Sequence, residues 1–186
     1  MADLSSSRSP AFRDVVRFWR AAGPARWFSK SPAFDREFRQ RFEAAHMDAA
    51  ARRLDAWSAE PEGVLALVIL LDQFPRNAYR GTAHMFATDP LARAFAQAAV
   101  DAGLDQRVDA AMRQFVYLPF EHAEDPQAQE RAVALMEPLG QEPLRWALVH
   151  RDIIERFGRF PHRNALLGRE TSAAEQAFLD AGGFAG

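Results

Sequence analysis

Cysteine is absent from the 186-residue sequence. Its absence excludes disulfide bonds, zinc–thiolate sites, iron–sulfur clusters and cysteine nucleophiles. Residues branched at Cβ are also scarce, since valine, isoleucine and threonine together account for 15 residues and alanine alone for 36. Because β-branched residues favour strands and alanine is the strongest helix former, the composition predicts an all-α fold.

An excess of charge and a long apolar run are missing as well. The 23 basic and 25 acidic residues give a net charge of −2, and Lys30 is the single lysine. A chain with this balance of charge lacks the excess of basic residues that is typical of nucleic-acid-binding proteins. The longest apolar run, Val64–Leu71, is far shorter than the roughly 20 residues of a membrane span. The first ten residues are polar and lack the apolar segment of a secretory signal. We therefore expect a cytoplasmic protein that binds neither nucleic acid nor membranes.

Capping residues that precede a proline predict where helices begin. Serine and aspartate side chains accept hydrogen bonds from the free N–H groups of a first helical turn, and proline is favoured at the first helical position. Four pairs of a capping residue and a proline are present: Ser9-Pro10, Ser31-Pro32, Asp89-Pro90 and Asp125-Pro126. In addition, Ser172 and Glu175 have the spacing of a capping box, which predicts a short last helix.

Glycines predict where several of these helices end, because glycine adopts the left-handed conformation common after a helix. Gly23, Gly103, Gly140 and Gly158 all follow helical patterns.

The Val64–Leu71 run is apolar on every side, which favours a central buried helix. The sequence thus predicts about eight helices, stacked as antiparallel hairpins in the manner of tetratricopeptide repeats. We expect residues 1–8 to form a disordered tail and residues 9–186 a single domain.

Two segments of the chain resemble each other. Residues 74–78 read Phe-Pro-Arg-Asn-Ala, and residues 160–165 repeat this order with His162 inserted. Each segment follows an apolar helix, so we expect the phenylalanine to fill the core, the proline to end the helix, and the two corners to be structurally equivalent. Asp72, in the last turn before the first segment, faces the negative end of a helix dipole and therefore needs a cation from Arg76, Arg80 or Arg163.

A third polar segment lies between two predicted helices. Glu121, His122 and Glu124 fall within four residues, and Asp125 next to them is explained as a helix cap. A histidine beside carboxylates suits general acid–base catalysis or part of a metal site. Because the segment has one histidine and fits no standard metal motif, we predict neither a metal nor a cofactor.

The other histidines carry less information. His46 and His84 lie in polar surroundings and are interpreted as surface residues. His150 lies on an apolar helical pattern, which favours a partly buried imidazole with a hydrogen-bond partner over a ligand to a metal.

Together these segments resemble a bacterial group, domain-of-unknown-function family 924. The resemblance covers nearly the whole chain and is most specific in Leu71–Asn77, Phe86–Asp89, Tyr117–Pro119 and Arg156–Asn164. It implies a single tetratricopeptide-like helical domain and no known activity. Similar sequences have His-Ser-Glu-Asp where this chain has His122 to Asp125, so a serine nucleophile is missing here, and the residues before His122 depart from the usual pattern.

Three interpretations of the polar segments remain open. The first is a helical binding module for a small anionic ligand or the acidic group of a peptide or protein partner. The second is a hydrolase-type enzyme in which His122 acts as acid or base with Glu121 or Glu124. The third is a purely structural network in which Asp72 and Glu124 pair with Arg76, Arg159 or Arg163. The predicted ligand-binding residues are Asp72, Arg76, Asn77, Arg80, Arg159, His162, Arg163 and Asn164.

Overall fold

The computed structural model describes residues 11–185, and every regular element in this range is helical, so the all-α prediction is confirmed. Eight of the α-helices contain eight residues or more, in agreement with the predicted number. The helices are α1 (Phe12–Ala22), α2 (Pro24–Trp27), α3 (Pro32–Ala50), α4 (Pro61–Val68), α5 (Phe74–Ala78), α6 (Asp89–Asp101), α7 (Ala110–Glu121), α8 (Pro126–Met136), α9 (Gln141–Phe157) and α10 (Ala173–Asp180).

Most of the predicted caps are present. The Ser31 side chain accepts a hydrogen bond from the Phe34 N–H, and Asp125 accepts from two N–H groups at the start of α8. Ser172 and Glu175 form the reciprocal capping box of α10. All four predicted helix-ending glycines have positive φ. The helix start predicted at Asp89-Pro90 is confirmed, but Thr88 and not Asp89 occupies the cap position.

Two predictions concern the beginning of the chain. The predicted tail over residues 1–8 and the predicted start at Ser9-Pro10 lie outside the described residues. Within the described part, α1 begins at Phe12, and the Asp14 carboxylate accepts a hydrogen bond from the Ala11 N–H.

Helix α4 lies at the centre of the fold and packs against α1, α6 and α7. The residues of the run Val64–Leu71 are at most 2% exposed, so the predicted buried helix is confirmed. Although this run is apolar, no helix in residues 11–185 is both long and apolar enough to cross a membrane. The consecutive helices α6 to α9 each pack on the next one, as stacked hairpins require, whereas the likeness to tetratricopeptide repeats stays a prediction.

The central helix does not end where the sequence predicts. A π-helical turn, Ile69–Gln73, joins α4 to α5, and the chain remains helical through Pro75 to Ala78. In this turn the Phe74 N–H donates to the carbonyl of Ile69, five residues earlier. Pro75 therefore does not stop the helix, because the wider turn accommodates a residue that lacks an N–H donor.

Side chains supply the hydrogen bonds that this turn displaces. The Leu70 carbonyl has no backbone donor at either helical spacing, because the Phe74 N–H is used by Ile69 and Pro75 has none. His46 Nδ1 lies 2.8 Å from that carbonyl oxygen, and the Thr88 hydroxyl donates to the next carbonyl, of Leu71. The irregular turn is thus fixed by side chains from α3 and from the segment before α6.

The interpretation of His46 as a surface residue is wrong. His46 is 1% exposed and stacks on Phe74 with the ring centroids 4.9 Å apart. Because a carbonyl oxygen only accepts, His46 Nδ1 carries the proton of this hydrogen bond. Burial is also the main reason why the pKa of His46 lies below its ordinary value.

Replacing His46 tests this account of the π-helical turn. We expect His46→Leu to lower the free energy of unfolding by about 1–3 kcal/mol, since the Leu70 carbonyl would be left buried without a donor. His46→Gln keeps an N–H donor and should recover part of that loss. Chemical denaturation followed by circular dichroism measures both variants, and equal stability of His46→Leu and the wild type would contradict the account.

Candidate functional site

A carboxylate–histidine pair lies where the π-helical turn meets the end of α7. Asp72 Oδ1 is 2.8 Å from His122 Nδ1, and the Asp72 side chain is fully buried. Its other oxygen, Oδ2, accepts a hydrogen bond of 2.6 Å from the Gln73 side chain. The π-helical turn directs Asp72 into the protein interior, and His122 immediately follows the last residue of α7.

Arg76 neutralises this buried carboxylate, as the sequence predicts. Its Nη1 lies 3.2 Å from Asp72 Oδ1 and donates to the Asp72 carbonyl at 2.7 Å. The same guanidinium forms a two-pronged pair with Asp89, at 2.8 and 3.0 Å. Asp89, expected to be a helix cap, is therefore an ion-pair partner of Arg76.

Arg163 reaches the same place from the second of the two similar segments. It donates to the carbonyl of His122 at 3.0 Å and to Asp89 at 3.4 Å. Its guanidinium lies 4.5 Å from the ring centroids of both Phe86 and Phe160. Burial, and secondly the charge of Arg76, lower the pKa of Arg163 to about 10. We call Asp72, Arg76, Asp89, His122 and Arg163 the central cluster.

The two similar segments are not structurally equivalent corners. Phe74 and the residues after it are α-helical, whereas Phe160 is extended and precedes a 3-10 turn, Pro161–Arg163. Both phenylalanines are fully buried, as predicted. The two segments share one partner, because Arg76 of the first and Arg163 of the second both pair with Asp89.

The charges within the central cluster favour ionised Asp72 beside neutral His122. Burial alone would raise the pKa of Asp72, but the charge of Arg76 and the contact with His122 hold it well below its ordinary value. Burial and the charge of Arg76 lower the pKa of His122 more than Asp72 raises it. In this state Nδ1 of His122 donates to Asp72, and its Nε2 carries the lone pair.

A second carboxylate–histidine pair lies beside the first. Glu121 Oε1 is 3.1 Å from His150 Nδ1, and the rings of His150 and His122 are 6.1 Å apart between centroids. His150 Nδ1 also lies 2.9 Å from the Trp146 carbonyl. Burial, reinforced by the charge of Asp72, raises the pKa of Glu121 to about 8, and burial lowers that of His150 to about 3. His150 has the hydrogen-bond partner that was predicted, and it is more completely buried than predicted, with 5% of its surface exposed.

Glu121, His122 and His150 also have the composition of a metal site. Each offers one ligand atom, and these atoms lie within 4.8 Å of one another. The cluster joins the end of α7 to the middle of α9, so the spacing of the residues along the chain did not reveal it.

Glu124 belongs to a different set of contacts. Its carboxylate accepts two hydrogen bonds from Arg169, at 2.6 and 2.9 Å, and one from the Phe160 N–H at 2.8 Å. The predicted pairing of Glu124 with Arg76, Arg159 or Arg163 is therefore wrong. Because these contacts hold the carboxylate, Glu124 fastens the segment after α9 and does not accompany His122.

The remaining predicted residues lie outside the central cluster. Asn77 and Arg80 both bond the Asp35 carboxylate of α3, and Arg159 pairs with Glu175 of α10 at 2.6 Å. The Asn164 side chain accepts from Arg169. Arg80, offered by sequence as a partner of Asp72, is thus a partner of Asp35.

His162 lies close to the central cluster and packs against two phenylalanine rings. Its ring is 5.7 Å from that of Phe160 and 5.3 Å from that of Phe184, between centroids. Nδ1 of His162 is buried and has no hydrogen-bond partner among the described residues. Burial, followed by the charge of Arg163, lowers the pKa of His162 to about 4.

The arrangement is better suited to proton transfer than to holding an anion. Arg76 and Arg163 are balanced by Asp72 and Asp89, and Arg169 by Glu124, so these arginines are already engaged. His122 is 13% exposed, and its Nε2 is not needed for the contact with Asp72. A neutral histidine held by a buried carboxylate is the usual arrangement of a general base.

Comparisons with known proteins agree with the fold and leave the activity open. A family model described as "Bacterial protein of unknown function (DUF924)" matches residues 15–183. The chain is similar to a solved structure of a protein of unknown function from Agrobacterium tumefaciens, with 56% sequence identity and a TM-score of 0.90. That match covers 91% of this chain and 97% of the other. A search of curated proteins finds no match.

Removing Arg76 tests the charge balance of the central cluster. We expect Arg76→Met to lower the free energy of unfolding by about 3–5 kcal/mol, because the buried Asp72 would lose its cation. The matched control is Arg80→Met, which removes a half-exposed partner of Asp35 and should cost about 0–1 kcal/mol. Urea denaturation of both variants makes the comparison, and equal losses would contradict the assignment.

The protonation of Glu121 gives a second prediction. Its pKa of about 8 in the folded chain lies above the roughly 4.3 of an unfolded glutamate, so between these values the folded state holds the extra proton. This contribution to stability is present at acid pH and lost as the pH rises towards 8. Glu121→Gln, with a permanently neutral side chain, should therefore gain stability relative to the wild type as pH increases.

Melting temperatures in metal-free buffer from pH 4 to pH 8 measure this difference. The control is Glu130→Gln, whose side chain is exposed on α8 and should show no such trend. A constant difference between Glu121→Gln and the wild type over this range would show that the pKa of Glu121 is the same in the folded and unfolded chains, and would contradict the prediction.

Proposed function

The chain belongs to the DUF924 family of bacterial proteins of unknown function, and we propose that it is a hydrolase-type enzyme in which His122 is the acid/base group. The observation that carries this proposal is the 2.8 Å contact between His122 Nδ1 and Asp72 Oδ1. It differs from the sequence hypothesis in one respect, because the carboxylate that accompanies His122 is Asp72, from 50 residues earlier, and neither Glu121 nor Glu124.

The proposed chemistry follows from the tautomer of His122. The buried Asp72 carboxylate accepts the Nδ1 proton, which leaves the Nε2 lone pair to take a proton from a water molecule. The resulting imidazolium is stabilised by the adjacent negative charge of Asp72 and then returns its proton to the leaving group. Water is the proposed nucleophile, because the chain has no cysteine and has alanine at position 123.

The other members of the central cluster are positioning residues in this proposal. Arg76 holds Asp72 through both its carboxylate and its carbonyl, and Arg163 holds the carbonyl of His122. Asp89 keeps the two arginines together. These contacts prevent Asp72 and His122 from drifting apart, which general base catalysis requires.

Hydrolysis of a panel of chromogenic esters tests the proposal. The panel contains p-nitrophenyl esters of carboxylic acids and of phosphate, and we expect turnover of at least one of them. His122→Gln should then lower kcat/KM by about 100- to 10,000-fold, the usual range for a lost general base. Asp72→Asn should lower it as well, because the wrong tautomer would be held.

The matched control is His84→Gln, because His84 is exposed and outside the central cluster; this variant should keep the wild-type rate. Circular dichroism spectra establish that each variant is folded. A second measurement needs no substrate: in proton NMR spectra, the Nδ1 proton of His122 should give a low-field signal that Asp72→Asn removes. Unchanged hydrolysis in His122→Gln, or absence of that signal, would overturn the proposal.

A further inference from the structure

We propose that Glu121, His122 and His150 form a binding site for a divalent transition-metal ion of the Zn²⁺ type. The three side chains are two imidazoles and one carboxylate, and their ligand atoms lie within 4.8 Å of one another. All three are largely buried, with 4%, 13% and 7% of the side chain exposed respectively. The site goes beyond the proposed acid–base role and does not rest on it.

The contacts of the two histidines indicate the nitrogen that each offers. His122 Nδ1 is held by the Asp72 carboxylate, which requires a proton on that nitrogen, so the lone pair of His122 is on Nε2. Metal-binding histidines usually donate their second ring N–H to a carboxylate or a backbone carbonyl, and Asp72 is this partner for His122. His150 Nδ1 lies 3.1 Å from Glu121 Oε1, so it is the nitrogen of His150 beside the carboxylate ligand, and it would exchange its 2.9 Å contact with the Trp146 carbonyl for the ion.

Glu121 is the acidic ligand of the proposed site, and a metal ion would displace the proton that this side chain otherwise holds. Its carboxylate is buried, yet no arginine or lysine of residues 11–185 lies within 4.0 Å of it. All the other carboxylates described around the central cluster have an arginine partner: Asp72, Asp89 and Glu124. A buried carboxylate without a cation is unfavourable, and metal coordination is one of the arrangements that relieves this cost.

The chemistry of the ligands decides the class of ion. Two nitrogens and one oxygen are typical of zinc and related transition metals, whereas Ca²⁺ and Mg²⁺ prefer oxygen ligands throughout. Three protein ligands also leave a coordination position for water or another ligand. Bond lengths of about 2.0–2.1 Å in a tetrahedral site place ligand atoms about 3.4 Å apart, so the side chains close together as the ion binds.

A bound ion would compete with the proposed role of His122. Its Nε2 lone pair can bind a metal or accept a proton, but it cannot do both at once. Metal binding should therefore inhibit hydrolysis that depends on His122 as a base. If Zn²⁺ instead accelerates hydrolysis, the metal site stands and the acid–base role of His122 is overturned.

Isothermal titration of the chelator-treated full chain with Zn²⁺ tests the site directly, without any substrate. We expect one ion per chain, and Glu121→Gln and His150→Gln should each raise Kd at least about 10-fold, as lost ligands do. Asp72→Asn should raise Kd by about 10- to 100-fold, the usual effect of removing the carboxylate that holds a metal-binding histidine. Absorption spectra of the Co²⁺-loaded protein report the coordination number and geometry of the bound ion.

His84→Gln is the matched control for binding at a surface histidine, and it should leave the Zn²⁺ affinity unchanged. Thermal melts in the presence of chelator establish that the variants are folded, and Glu121→Gln preserves the shape of the side chain it replaces. The proposal is overturned if the wild type does not bind Zn²⁺. It is also overturned if Glu121→Gln and His150→Gln both bind as tightly as the wild type, or if His84→Gln removes the binding.

Discussion

The polar interior of this protein depends on one constraint, which is that the fully buried carboxylate of Asp72 must be neutralised. Arg76 neutralises it, and the remaining N–H donors of the Arg76 guanidinium bind a second carboxylate, that of Asp89. Asp89 in turn contacts Arg163, which is fixed on the carbonyl of His122. Each charged side chain in this series is thus neutralised by the next one. The last of them, Arg163, contacts His122, which also bonds Asp72. Three distant parts of the chain, residues 72–89, 122 and 163, are held together in this way.

The backbone explains why Asp72 lies inside the protein. A regular α-helix through Pro75 would lose a hydrogen bond and place the proline ring against the preceding turn. The π-helical turn avoids this conflict but leaves carbonyl groups that need other donors, and His46, Thr88 and Arg76 supply them. Arg76 therefore stabilises both the irregular backbone and the charge of Asp72. Such irregular turns are frequent at functional sites, because a regular helix would direct the same side chain elsewhere.

Local signals in the sequence predicted most of the fold. Caps such as Ser31 and Asp125, the helix-ending glycines and the apolar run Val64–Leu71 all depend on neighbours in sequence, which is why they could be recognised. The π-helical turn was missed because Pro75 is normally a helix stop. The burial of His46 was missed because its partner, the Leu70 carbonyl, becomes free only in that turn.

The candidate site shows the same division between local and distant contacts. The need of Asp72 for a cation was predictable, and Arg76 is one helical turn away from it. The pairs Asp72–His122, Glu121–His150 and Glu124–Arg169 join residues that are 50, 29 and 45 positions apart, and no local pattern encodes them. The second use of Arg76, in binding Asp89, was hidden because Asp89 before a proline has the sequence of an ordinary helix cap.

The two proposals place different demands on the same histidine. The acid–base role requires the central cluster, whose Asp72, Arg76, His122 and Arg163 lie in or next to the segments that carry the family resemblance. The proposed metal site requires Glu121 in addition. Replacing Glu121 by a neutral residue would leave the Asp72–His122 hydrogen bond intact, because Glu121 contacts His150 and takes no part in that bond. With the two proposals taken together, Glu121 therefore decides whether the lone pair of His122 binds a metal ion or accepts a proton, and a variant of this chain without the carboxylate would keep the proposed base and lose the proposed metal site.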